Sequence, residues 1–240
     1  MKPIKYICIS RLDRMGDMIL SLPAIKAIND SNPKIKISVL ASHQNIKVLK
    51  DLDYIDEIIE INTKSIFNAL IKNFFIVRKK NFDFFLNFSP TFLSYFFCFF
   101  SKSKKRGTLI FLSRYRKSSL SKLFTRILSR IICNHVYTID RFSKFRNGEE
   151  LHQTEMIFKL INMFNISYNK NVKFKLPIPL KKFDIIPLNK NLITIHLSKK
   201  WINKFYTEKD FLNLFSKLSK EKNLYVLTTD NSTKNKFNKI

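Results

Sequence analysis

Along the first part of the chain, short β-branched runs alternate with segments whose apolar residues fall at helical spacing. Residues 4–10 (IKYICIS) are a run of the kind that forms a buried strand. A short loop, RLDRMGD, follows, and then residues 18–29, with Ile19, Leu22, Ile25 and Ile28 on one helical face. Pro23 is comfortable only in a first helical turn, so this helix is expected to begin near Ser21 or to kink there. Asn32-Pro33 closes the unit. Residues 34–41 (KIKISVLA) alternate and predict a second strand, 45–50 a helix, and 55–61 (IDEIIEI) a third strand. Residues 65–80 predict a basic amphipathic helix, and 82–88 a fourth strand.

The stretch 108–146 is basic and weakly patterned, with a helix expected over 120–132. A clearer helix is expected over 149–164, its front edge reading GEELHQTE. Residues 171–191 carry three prolines and no helical period, and read as an extended linker. After them the pattern restarts: a strand at 192–196, a helix at 207–220 with Thr207 as its N-cap, and a strand at 223–229. Strands alternating with helices predict an α/β fold with a parallel sheet covered on both faces. The expected organisation is a Rossmann-like domain over 1–170, a linker over 171–191 and the beginning of a second domain over 192–240. Two strands and one helix do not close a doubly wound sheet, so this second domain is expected to be incomplete.

Composition adds a sign to this picture. The 240 residues hold 44 Lys+Arg against 18 Asp+Glu, a formal net charge of +26, which favours anionic partners such as nucleic acid, phospholipid headgroups or phosphorylated glycolipid. Drift toward Lys, Asn, Ile and Phe, with only three Gly, supplies a second source of the same charge. Cys8, Cys98 and Cys133 are odd in number and far apart, and read as free thiols in a reducing cytosol. The N-terminus lacks a secretory layout. Residues 82–100 (FDFFLNFSPTFLSYFFCFF) are interrupted by Asp83, Asn87, Ser89 and Pro90, and their clean apolar run is too short to span a bilayer. They read as a strand, a turn at Ser89-Pro90 and a short aromatic helix, with buried core and surface membrane contact both open for that helix. The basic run Lys102, Lys104, Lys105 and Arg106 follows directly.

Two loops carry candidate chemistry. The first is Arg11-Leu12-Asp13-Arg14-Met15-Gly16-Asp17, after the first strand, where open α/β sheets bind ligands. Gly16 permits a tight turn with close backbone approach. Asp17 reads either as a helix N-cap or as a catalytic carboxylate, with Asp13 as its competitor. The second loop runs from His196 to Tyr206 and gathers Lys199, Lys200 and Lys204 beside a helix start, a setting that suits a diphosphate or is simply a solvated basic loop. The loop after the first strand is not a dinucleotide fingerprint, and no P-loop, H-E-x-x-H, G-x-S-x-G or kinase signature occurs. The four histidines show no metal spacing, so no metal is expected.

Taken in order, three stretches resemble the family 9 glycosyltransferases, the ADP-heptose:lipopolysaccharide heptosyltransferases. ISRLDRMGDMILSLPAIKAI is similar to the family's opening strand, R-x-G-x-x-G-D loop and L-P-A helix start, with Asp13 and Arg14 where small residues are common. LHQTEMIFKLINMFNI is similar to its H-x-x-E helix. ITIHLSKKWINKFYTEKDFLNLFSKL resembles its H-P-G-[AS]-x-x-x-x-K-x-W segment through His196, Lys204 and Tyr206, while Leu197-Ser198 replaces Pro-Gly.

The resemblance implies a GT-B architecture of two Rossmann-like domains. It also implies metal-independent, inverting transfer of heptose from ADP-heptose, with no other cofactor, to a lipid A–Kdo type acceptor of the lipopolysaccharide inner core. On that basis Asp17 is the candidate general base, with Arg11, Asp13 and Gly16 in the acceptor loop, and Lys204, Ser198 and Lys200 on the donor phosphates. The acceptor and the charge together imply peripheral attachment to the inner face of the cytoplasmic membrane. The family's D-x-x-x-x-H type motif is not found before position 240. The alternative is a non-catalytic basic module that binds a membrane surface or nucleic acid, although no nucleic-acid-binding signature supports the latter.

Overall fold

The computed structural model describes residues 4–112, 119–139, 152–169, 172, 174, 192–197, 207–218, 220 and 224–229. The chain divides into two compact units, Met1–Ile178 and Pro179–Ile240, and the division falls within the proline-bearing stretch 171–191.

The first unit is a six-stranded parallel sheet in the order β3-β2-β1-β4-β5-β6. Its strands are β1 (Tyr6–Arg11), β2 (Lys36–Ser42), β3 (Glu57–Ile61), β4 (Phe84–Asn87), β5 (Lys105–Phe111) and β6 (His135–Ile139). The helices between and after them are α1 (Met15–Ile19), α2 (Leu22–Ser31), α3 (His43–Leu49), α4 (Ile66–Lys79), α5 (Phe92–Phe100), α6 (Ser119–Ile132) and α7 (Gln153–Asn162). Strands β1 and β4 are buried along nearly their whole length, as expected where helices cover both faces. The two-residue strand period then sorts the core. Ile7 and Ile9 face a cluster completed by α2 and α7, while Cys8 between them faces a second cluster built with α4, α5 and α6. Cys98 and Cys133 meet in that second cluster with Sγ atoms 3.6 Å apart, buried and not bonded.

Most expected elements are present, and two differences are informative. The helix expected over 18–29 is two helices, α1 and α2, with Pro23 in the first turn of the second. Strands β5 and β6 were not marked by periodicity. β5 opens on Lys105 and Arg106 and contains Gly107, while β6 is the sheet edge and mostly half-buried, so neither presents a long apolar run. Gly107 is needed for packing: a Cβ there would collide with the Phe164 ring and approach Leu160 Cδ1 to 3.2 Å. The helix expected over 149–164 is α7 within the described residues.

The second unit holds the parallel pair β7 (Leu192–Leu197) and β8 (Leu224–Thr229), with α8 (Glu208–Leu218) between them in sequence. Thr207 caps α8 as expected. Its Oγ1 accepts from the Asp210 amide at 3.3 Å, and its own amide donates to Asp210 Oδ2 at 2.7 Å, a reciprocal capping box.

Candidate functional site at the carboxyl edge of the sheet

Strands β1 and β4 are neighbours, yet the chain leaves them in opposite directions, to β2 on one side and β5 on the other. That reversal opens a crevice beyond the carboxyl ends of the strands, the usual ligand position in open α/β sheets. The last residue of β1 is Arg11, 1% exposed and among the largest fully buried side chains. A buried guanidinium persists only with partners. Arg11 donates through Nη1 to the Phe88 carbonyl beyond β4, pairs through Nε with Asp13 Oδ1 at 2.9 Å, and pairs through Nη2 with Asp17 Oδ1 at 3.4 Å. Only the planar fork of arginine reaches three acceptors in this way. The Arg11 carbonyl accepts from Asn45 Nδ2 at 2.9 Å, tying the same corner to α3.

This geometry revises the reading of the loop. Asp17 is not an N-cap. Helix α1 begins two residues earlier at Met15, its N-cap is Arg14, and no side chain caps it. The Asp17 carboxylate turns to Arg11 instead, while its backbone carbonyl accepts from Ser21 Oγ at 2.8 Å. Gly16 does not serve a tight turn either. It lies inside α1, and a Cβ placed on it would meet nothing within 4 Å. Its missing side chain leaves that surface open for close approach from outside.

The two carboxylates open on different spaces. Asp13 lines a cavity of about 960 Å³ formed by the segments after β1, β2 and β3, with Arg14, His43, Glu60, Lys64 and Lys72 among its walls. Across its rim His43 Nδ1 lies 2.9 Å from Glu60 Oε1. Asp17 lines a shallower depression of about 470 Å³ with Arg14, Gly16, Ile19 and Leu20. Among the described residues, hydrogen-bonding capacity is left unmet at Ser42 Oγ, Asn45 Oδ1, Asn87 Nδ2 and Ser89 Oγ, all buried and all at or just beyond the carboxyl ends of β2 and β4. Such atoms are uncommon in folded proteins; four lie along this edge, and Tyr54 Oη, Arg106 Nε and His135 Nδ1 lie elsewhere.

Groups with shifted titration at the opposite edge belong to a structural network. Glu57 opens β3 and accepts from Ser38 Oγ at 2.7 Å, Tyr6 Oη at 2.9 Å and Lys80 Nζ at 2.6 Å. Burial works to raise its carboxyl, and these three bonds outweigh it, so the group titrates below the ordinary glutamate range. Tyr6 is pushed up by burial and by the neighbouring Glu57.

Sequence reasoning missed Thr154. It sits inside the LHQTE segment, and its Oγ1 donates to the Leu20 carbonyl at 2.9 Å, so α7 anchors the short connection between α1 and α2. His152 is the N-cap of α7 and Glu155 lies in its first turn. The signal was the motif itself, read for its charged residues and not for the hydroxyl between them. Ser198, Lys200 and Lys204, expected on the donor phosphates, lie outside the described residues, as does Tyr206. Among the described residues no group of His, Cys, Asp and Glu is arranged to hold a metal, and no helix is long and apolar enough to cross a membrane.

No family model matches the chain, and no curated protein matches it. Solved structures do. The glycosyl transferase family 9 protein from Veillonella parvula DSM 2008 superposes with a TM-score of 0.71 at 14% identity, over 100% of this chain and 67% of its own. This chain shares its fold with that structure. E. coli heptosyltransferase WaaC with ADP matches with a TM-score of 0.59 at 15% identity, over 92% of this chain and 67% of its own. E. coli ADP-heptose lps heptosyltransferase II matches with a TM-score of 0.58 at 16% identity, over 98% and 67%. The chain thus spans about two thirds of the length of each of these structures.

Proposed function

We propose that this chain is a glycosyltransferase of the family 9 type, acting on a nucleotide-sugar donor, with ADP-heptose as donor and the lipopolysaccharide inner core as acceptor. The observation that carries the reading is the buried Arg11 gripping Asp13 and Asp17 at the topological switch point. The ordered motifs and the fold shared with heptosyltransferases support it.

In this reading the acceptor hydroxyl gives its proton to the Asp17 carboxylate as its oxygen attacks the anomeric carbon. The bond from that carbon to the diphosphate oxygen breaks, ADP departs with the electron pair, and the configuration inverts. Arg11 fixes the orientation of the carboxylate and does not itself touch substrate. Gly16 leaves room for the acceptor beside Asp17, and the cavity of Asp13 receives its neighbouring sugars. Lys204, with Ser198 and Lys200, offsets the charge that builds on the departing diphosphate. The reaction needs no metal and no cofactor beyond the nucleotide sugar. The acceptor's lipid anchor sets the work at the inner face of the cytoplasmic membrane.

The test is heptose incorporation from ADP-heptose into a lipid A–Kdo acceptor, followed together with ADP release. It is run on this chain and on any longer product of the same reading frame. Asp17→Asn is expected to lower turnover by roughly a hundredfold to ten-thousandfold, the usual range for a lost general base. Unchanged turnover in Asp17→Asn would remove it as the base and turn attention to Asp13.

A further inference from the structure

Helices α4, α5 and α6 form one layer over the sheet, and their outer side is strongly apolar. On α4, Phe67, Ile71 and Phe75 follow one another at single-turn spacing, with both phenylalanines 72% exposed. On α6, Leu120, Phe124, Ile127 and Ile131 form a second exposed stripe, Leu120 being 79% exposed. Phe92 and Phe99 of α5 are exposed as well. The opposite layer behaves differently: among the described residues, α2, α3 and α7 expose no large apolar side chain.

Helix α6 departs from an ordinary surface helix, because most of its apolar residues lie on the outer side. Ser121, Thr125 and Ser129 turn inward, with Thr125 Oγ1 donating to the Ser121 carbonyl at 2.8 Å and Ser129 Oγ within 2.7 Å of Tyr95 Oη. Leu128 and Ile132 also pack on the core, while Leu120, Leu123, Phe124, Ile127 and Ile131 point out. Cations flank them: α4 carries Lys72, Arg78 and Lys79, α6 carries Lys122, Arg126 and Arg130, and the three helices contain no Asp or Glu. Drift in composition raises lysine everywhere; it does not expose five large apolar side chains on one helix, or empty one layer of acids.

We propose that the outer face of α4, α5 and α6 docks on an anionic bilayer surface. Phe67, Phe75, Phe124 and Ile127 enter the boundary between headgroups and acyl chains, and Lys72, Lys122, Arg126 and Arg130 meet headgroup phosphates. Charge complementarity selects lipid over an apolar protein partner, because a face without acids and with two basic helices is matched by a sheet of phosphates. Contiguous exposed apolar patches of this kind mark docking sites in general. The face also runs into the site. Ile71 of the α4 stripe and the flanking Lys72 line the cavity beside Asp13, so a glycolipid with its chains in the bilayer has its sugars at the cavity mouth. The inference deepens the proposed transfer reading and rests on it for its purpose, while docking itself is read without any sugar chemistry, so one can fail without the other.

The experiment is co-sedimentation of the 240-residue chain with vesicles of phosphatidylcholine alone and of phosphatidylcholine with phosphatidylglycerol, at low and high salt. Binding is expected to the anionic vesicles, and to weaken with salt. The double substitution Phe124→Ser, Ile127→Ser alters only exposed side chains and is expected to weaken that binding roughly tenfold or more. Its melting temperature should stay unchanged or rise, and Met163→Ser, beyond α7, should bind as the parent does. Equal binding to both vesicle types, or a double variant that binds like the parent, overturns the proposal. So does self-association in sedimentation velocity that the same double substitution abolishes while vesicles are ignored, since the face then covers a second copy of the chain.

Discussion

Arg11 Nη2 lies 3.4 Å from Asp17 Oδ1, and the same guanidinium holds Asp13 through Nε at 2.9 Å. One buried cation therefore orients two carboxylates that open on different cavities. The arrangement separates their roles. Asp17→Asn is expected to lower kcat with little change in acceptor KM, the pattern of a group used only in the transition state. Asp13→Asn is expected chiefly to raise acceptor KM. Steady-state kinetics on the two variants checks the split, and the reverse pattern would reassign the base.

Arg11→Lys keeps the charge and loses the fork. A single ammonium does not reach the Phe88 carbonyl and both carboxylates together. The expected cost is about 1–3 kcal/mol of stability, from acceptors left poorly paired at a buried site. Urea unfolding measures it. A variant as stable as the parent would mean that the three contacts are not cooperative.

Thr154→Val tests the anchor between α7 and the α1–α2 connection. The change is nearly isosteric, so the loss is one hydrogen bond to a backbone carbonyl, about 0.5–1.5 kcal/mol. Hydrogen exchange should quicken at residues 15–20 while β1 stays protected. Exchange that quickens uniformly would point to global destabilisation instead.

Gly107→Ala should be among the more damaging single-methyl additions in the chain. The new Cβ meets the Phe164 ring and comes to 3.2 Å from Leu160 Cδ1, so α7 must shift from the sheet. Overpacking of this kind costs roughly 1–3 kcal/mol. Phe164→Leu in the same background should return part of that loss, and thermal melts of the single and double variants read both effects.

The Glu57 network gives an acid-side dependence of stability. Burial raises the carboxyl and the bonds from Lys80, Ser38 and Tyr6 lower it further than that, so its folded value lies below its unfolded one. The stabilisation is therefore fully present above the ordinary glutamate pKa and is lost as pH falls through the folded value. Glu57→Gln should be less stable than the parent at neutral pH, and the gap should close in acid. Denaturation at several pH values tests this, and a gap that is independent of pH would show that charge plays no part.

Periodicity along the chain determined the α/β alternation, the first four strands, the aromatic helix after Ser89-Pro90 and the Thr207 cap, because each depends on residues a few positions apart. It also pointed to the loop after β1 as the place of chemistry. Strands β5 and β6 escaped it, since what makes them strands is pairing with β4 and cover from α6 and α7, not an apolar run of their own. The roles within the loop likewise waited for the fold. Asp17 satisfies every local rule for an N-cap, and only the burial of Arg11 beside β4 turns its carboxylate away from the helix end. The exposure of Leu120, Leu123 and Phe124 on α6 was equally beyond local reading: periodicity shows that a helix has an apolar side, and only its packing decides how much of that side the sheet covers.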